Sequence, residues 1–382
     1  MIYIHIPFCR SFCTYCGFYS ELAGKGSPDM EMFAEAVVRE YALRKGDGTG
    51  APDTLYIGGG TPSVLPLSVF SRIVSAVTGD DGSVGRDEFT VEVNPDDIVR
   101  RGPGYAEALR ELGADRISMG IQSYDDGILK WMNRRHSAGD AEEAFRILRK
   151  AGFRNISVDL IFGLSQMDER MWNDTLDRVL SSDFGPPEHI SAYQLSVEPD
   201  SALDRLVSGG RYREAPEDLC SRQYSILCSR LAEAGYHHYE VSNFALPGHE
   251  AVHNSAYWNG SPYLGLGPGA HSYSTDGRRH IRSWNIPSVG KYVSAFPEDS
   301  SRLPDGIRGS EILTEEQMNM ERIMLALRTD TGIAEEELRR TGDAAGTDRM
   351  IAAGNLVRTE GGRIRIPEEK FFISDSIIRE LV

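Results

Sequence analysis

Cysteine is scarce in this chain: five in 382 residues, an odd number. That argues against the disulfide framework that staples small secreted domains. Long apolar runs are missing as well, and nothing approaches the ~18 uncharged residues of a membrane-spanning helix. Basic residues fall short of acidic ones, 41 against 57, for a formal charge of −16. A balance of that sign argues against sequence-independent nucleic-acid binding, which needs a cationic face to displace counterions. No basic flank or cleavage pattern of a signal peptide precedes the strand-like Ile2–Ile6, so a cytoplasmic protein is expected. Low-complexity stretches and internal repeats are also lacking. What remains is 40% hydrophobic and 26% charged, an ordinary globular composition at a length that suits one large domain and one small one.

Short β-branched segments alternate with longer helical ones. Strands are predicted at Ile2–Ile6, Thr54–Ile57, Glu88–Val93, Arg116–Gly120, Asn155–Ile161 and His189–Leu195. Helices are predicted between them at Asp29–Arg44, Leu67–Val77, Gly104–Leu112, Asp125–Met132, Ala138–Ala151 and Glu169–Leu180. Such alternation implies parallel βαβ units, and six of them suggest an α/β barrel or partial barrel with its function at the C-terminal strand ends. Surface loops are expected at 46–50 and 80–85. The Pro- and Ser-containing stretch 296–310 reads as a linker, dividing a body (1–295) from a terminal unit (311–382). That unit opens with a capping box, Thr314 and Gln317, and closes on a hairpin-like Leu356–Ile366, a winged-helix-like order of elements. Its acidic balance excludes a DNA-binding wing.

Three cysteines fall within eight residues: Cys9-Arg10-Ser11-Phe12-Cys13-Thr14-Tyr15-Cys16. Three thiolates spaced in this way wrap one face of a cubane [4Fe–4S] cluster and leave its fourth iron without a protein ligand, hence chemically open. The competing assignment is zinc with His5 as fourth ligand, but zinc knuckles use two close pairs and no second pair exists. Cys220 and Cys228 stand apart in a helix-like segment and read as packing residues.

Other residues have chemistry suited to a polar ligand. Gly58-Gly59-Gly60-Thr61-Pro62 follows a predicted strand; glycines there let a ligand approach the backbone closely, or serve only a tight turn. Glu92, Gln122 and Asp159 lie at or near the ends of successive apolar strands, where a buried polar group needs a partner. Arg134 is placed to meet a carboxylate, or to sit on the surface as a cation.

On these residues the chain resembles the radical S-adenosylmethionine (SAM) superfamily, and His5-Ile6-Pro7-Phe8 ahead of the cysteines makes it similar to the HemN/HemW branch. The resemblance runs over essentially the whole chain. It implies a radical SAM partial (β/α)6 barrel with a small C-terminal winged-helix-like domain, and SAM chelating the open iron. It also implies SAM contacts at Tyr3, Gly59, Gly60, Thr61 and Glu92, and a second SAM near Gln122, Arg134 and Asp159. HemN proper carries a further cysteine two residues after the third ligand; here that residue is Phe18, as in the HemW group, which is associated with haem binding and delivery. His253-Asn254-Ser255-Ala256-Tyr257-Trp258 matches that group's haem-linked pattern, and an imidazole such as His253 is a suitable axial ligand for haem iron. A lone histidine is as readily a satisfied structural residue. His271 is a further candidate for the same cavity. The functions in play are therefore a haem chaperone, an oxygen-independent coproporphyrinogen III dehydrogenase, and radical SAM chemistry on another substrate. The implied partners are haem or a porphyrin, a haem-acceptor protein, and a flavodoxin- or ferredoxin-type electron donor.

Overall fold

The computed structural model describes residues 1–24, 29–47, 53–79 and 84–382; the loops expected at 46–50 and 80–85 lie largely outside them. Six parallel strands form where the β-branched segments predict them: β1 (Ile2–Ile6), β2 (Thr54–Gly59), β3 (Glu88–Val93), β4 (Arg116–Gln122), β5 (Ile156–Phe162) and β6 (His189–Gln194). Three more complete the sheet: β7 (His237–Glu240), β8 (Asn243–Ala245) and β9 (Leu264–Leu266). The order across it is β9-β1-β2-β3-β4-β5-β6-β8-β7, parallel from β9 to β6 and antiparallel at the β8–β7 end. The sheet is therefore an open α/β arrangement with two edges.

The strands alternate between two faces, because successive side chains point to opposite sides. One set is apolar and fully buried: Ile4 and Ile6, Leu55 and Ile57, Val91 and Val93, Ile117 and Met119, Val158 and Leu160, Ile190 and Ala192. These residues pack in one core with the apolar stripes of the crossover helices, such as Phe33 and Val37 of Met30–Arg44 and Val69, Phe70 and Ile73 of Leu67–Thr78. The other set is polar: Tyr56, Glu92, Ser118, Gln122, Ser157, Asp159, Ser191 and Tyr193 all line a single cavity. In closed (β/α)8 barrels the inward face is ordinarily filled by branched apolar residues. Here the corresponding face is hydrophilic and lines a cavity, so the site sits against this face of the sheet.

Beyond β9, strands His271–Thr275, His280–Asn285 and Arg308–Ile312 form a second, antiparallel sheet. The last of these strands ties the terminal region to the body. That region runs helix (Glu315–Ala326), short strand (Ile333–Ala334), two helices (Glu335–Thr341, Ala344–Ala352) and a hairpin (Val357–Arg358, Arg363–Arg365). Thr314 and Gln317 make the expected capping box. Among the described residues, no helix is long and apolar enough to cross a membrane.

Candidate functional site

The cysteine loop leaves β1 and is fixed by its backbone. Ala23 N donates to Cys9 O at 2.7 Å, Thr14 N to Met132 O at 3.0 Å, and Leu203 N to Thr14 O at 2.7 Å. Side chains add to this: Thr14 Oγ1 donates to Trp131 O at 2.8 Å and Asn133 Nδ2 to Phe12 O at 2.7 Å. So anchored, the loop brings Cys9, Cys13 and Cys16, all half-buried free thiols, to the wall of one cavity of about 950 Å³. Burial pushes the Cys9 thiol up and the Cys16 thiol to about 11; metal binding there must displace protons.

The residues present suit a cubane cluster better than zinc. Both ring nitrogens of His5 are already engaged, Nδ1 with the Tyr3 hydroxyl at 3.0 Å and Nε2 with Tyr19 O at 2.9 Å. Among the described residues, no three His, Cys, Asp or Glu side chains converge on one ion. A cubane spreads its thiolates over different irons and needs no such convergence.

The glycine segment meets the loop from β2. Gly59 has φ +109°, and a Cβ there would lie 2.5 Å from the His5 ring. At Gly60 a Cβ would meet the Ile6 and Phe8 carbonyls at 2.9 Å and Cys9 Sγ at 3.0 Å. Neither position accepts a side chain, so backbone stands directly beside the thiols. Next along the sheet, Glu92 accepts from the Tyr56 hydroxyl at 2.8 Å and from Gly59 N at 3.0 Å. Burial, reinforced by the Asp159 charge, lifts its carboxyl to about 7. Asp159 faces the Ser118 hydroxyl at 3.4 Å and is likewise raised by burial, to about 6. Gln122 follows a β-bulge and has φ +69°, sparsely populated for a residue with a side chain; such strain gathers at ligand sites.

Gly59, Gly60, Thr61, Glu92, Gln122, Arg134 and Asp159 thus all join the three cysteines on the cavity wall. Three expected residues do not. Tyr3 is outside the lining, bonded to His5 and packed near the Tyr56 ring at 6.1 Å between centroids. His253 is buried at 1% exposure, its Nδ1 2.7 Å from Thr54 Oγ1 and its Nε2 3.0 Å from the Tyr257 hydroxyl. Desolvation drives its pKa down to about 3, so the ring is neutral and both nitrogens are taken. The imidazole expected to meet haem iron thus has both nitrogens bonded within the fold. His271 is exposed, stacks on Trp284 and is absent from the cavity lining. Cys220 packs beneath Gly163, and Cys228 lies 3.9 Å from His238 Nδ1; neither lines the cavity.

Sequence reasoning missed Asn94, Tyr56, Arg116, Tyr193 and the three serines, which line the same space. A signal existed. Polar residues recur at every second position of strands whose other positions are Ile, Val or Met, which marks one polar face.

Comparison with known proteins agrees. Residues 3–179 match the family model of the radical SAM superfamily. The heme chaperone HemW of Synechocystis is 33% identical over 343 residues, covering 88% of this chain and 79% of that protein. HemW of Bacillus subtilis is 34% identical, covering 87% and 84% respectively. The solved structure of coproporphyrinogen III oxidase, HemN, from Escherichia coli superposes with a TM-score of 0.79 at 18% identity, over 99% of this chain and 89% of that one; at that identity the likeness concerns the fold. Cysteine loop, glycine segment and polar inner face therefore belong together: the chain is a member of the radical SAM superfamily, within its HemW/HemN family.

Proposed function

We propose that the protein is a cytoplasmic haem chaperone, which carries a [4Fe–4S] cluster on Cys9, Cys13 and Cys16, binds SAM beside it, and hands haem to an acceptor protein. Support comes from relatives named HemW on the sequence side. The observation that carries the reading is Phe18, a side chain 73% exposed at the cavity rim. By resemblance, the catalytic HemN branch has a cysteine there. An aromatic held open to solvent suits a flat apolar ligand.

In this reading Gly59 and Gly60 admit the methionyl end of SAM to the backbone, while Glu92 takes its ammonium group or a ribose hydroxyl. Gln122, Arg134 and Asp159 form the wall expected of a second SAM. Tyr3 acts from behind the wall, through His5. When bound, the cluster supplies one-electron reduction of SAM, fed by a flavodoxin- or ferredoxin-type donor. Haem ligation by His253 requires Nε2 to leave the Tyr257 hydroxyl. The division into body (1–295), linker (296–310) and winged-helix-like terminal unit (311–382) is part of the same proposal.

The test uses anaerobically reconstituted protein. Haemin titration should give a saturable Soret shift, with no consumption of coproporphyrinogen III. Cys9→Ala, Cys13→Ala and Cys16→Ala should each abolish iron uptake, and Cys220→Ala should leave it unchanged. Conversion of coproporphyrinogen to protoporphyrinogen would overturn the chaperone reading in favour of the dehydrogenase.

A further inference from the structure

Asn94 stands between two residues assigned above to SAM, and its bonds run elsewhere. Its Oδ1 accepts from Arg134 Nη2 at 2.7 Å, and its Nδ2 donates to Thr61 Oγ1 at 3.2 Å. The orientation of the amide is dictated, because a guanidinium only donates and the amide oxygen must face it. Each end of this chain then reaches a sulfur. Thr61 Oγ1 lies 3.6 Å from Cys9 Sγ, and Arg134 Nη1 lies 3.4 Å from Cys13 Sγ. Since Thr61 already accepts from Asn94, its own hydroxyl hydrogen is free for Cys9.

Arg134 is a half-buried cation with an unusual set of partners. Its other contact is Gly120 O at 2.6 Å, and its Nε has no partner. Asp96, the acid whose charge it feels, is ion-paired with Arg135 at 2.6 Å. None of its bonds goes to a carboxylate, so a full positive charge lies beside Cys13 with only neutral dipoles and a sulfur to meet it. Even partial desolvation of such a charge is costly unless an anion completes the site.

We propose that Thr61, Asn94 and Arg134 form a directed hydrogen-bond belt that donates to two of the three cluster thiolates, with Asn94 as the positioning residue that aims both donors. The inference rests on the cluster assignment above and adds a task for this wall besides binding SAM. Hydrogen bonds to cluster sulfurs and a nearby positive charge both favour the electron-richer state and raise the reduction potential.

The experiment is an anaerobic redox titration of the full-length reconstituted protein, followed by electron paramagnetic resonance, with iron content and circular dichroism as controls. In Asn94→Asp the new oxygen cannot donate to Thr61; it draws the Thr61 hydrogen away from Cys9 and adds negative charge. In Arg134→Gln the cation is lost. Each should lower the ratio of reduced to oxidised cluster at fixed potential at least tenfold, equivalent to about 59 mV for a one-electron couple. Thr61→Val should shift it in the same direction and less. Iron-loaded variants with the wild-type midpoint overturn the proposal. So does an unshifted Thr61→Val if the other two fail to load iron. An unsubstituted protein that takes up no cluster instead sinks the functional reading, and the two failures are distinguished by which protein shows them.

Discussion

Two arginines, Arg44 buried and Arg134 half-buried, teach different lessons. Arg44 is closed in on every side: it donates to Glu40 at 2.6 Å, to Gly265 O at 3.0 Å and to Ser272 Oγ at 2.9 Å. Glu40 in turn accepts from Tyr292 at 2.6 Å, Asn285 at 2.8 Å and Gly267 N at 3.0 Å. This network locks the turn after β9 against the first crossover helix, and it offers nothing to a ligand. Arg134 has an orphaned Nε, no carboxylate of its own and a cavity beside it. A saturated network stabilises the fold; an unsaturated one waits for a ligand.

The sharpest way to break this comparison is to remove each cation from metal-free protein. Arg44→Met strands the Glu40 carboxylate in the core and should cost about 3–5 kcal/mol in urea unfolding. Arg134→Met strands no charge and should cost about 1 kcal/mol. Equal losses would erase the distinction.

His253 belongs with Arg44 on the saturated side. His253→Ala leaves the Thr54 and Tyr257 hydroxyls without their partner and opens a void, a loss of about 2–3 kcal/mol. If the variant keeps wild-type stability while the haemin Soret shift disappears, the histidine is a ligand and the structural assignment fails.

Glu92 belongs on the unsaturated side, and pH exposes it. Its carboxyl is lifted from 4.5 to about 7. Between those values the folded protein holds a proton that the unfolded chain has released, so stability falls as pH rises. Glu92→Gln has no such slope. It should gain about 2 kcal/mol over the unsubstituted protein above pH 7, allowing for water in the cavity, and the gain should vanish near pH 4.5. Unfolding midpoints measured across that range decide it.

Much of this was legible in the residues. The spacing of Cys9, Cys13 and Cys16 announced a cluster of thiols on one cavity wall, and the strand–helix alternation placed it at the strand ends, because both depend on local order. Asn94 was not legible: its meaning lies in bonds to Thr61 and Arg134, 33 and 40 positions away. β9 is only three residues long and pairs with the first strand across most of the body, too short a run to carry a periodic signal. The bonds of His253 to Thr54 and Tyr257 were not legible either, because a motif conveys residue type but not which nitrogen is free. The polar face of the sheet could have been read from alternation alone.

The loop that bears the thiols owes its shape to hydrogen bonds from residues 131–133 and 203, and to its pairing with residues 21–23. None of these involves iron. A scaffold shaped in advance would outlast its cargo: were the proposed cluster stripped by air, the mould would stay intact, and recovery would call for iron, sulfide and reductant but no refolding.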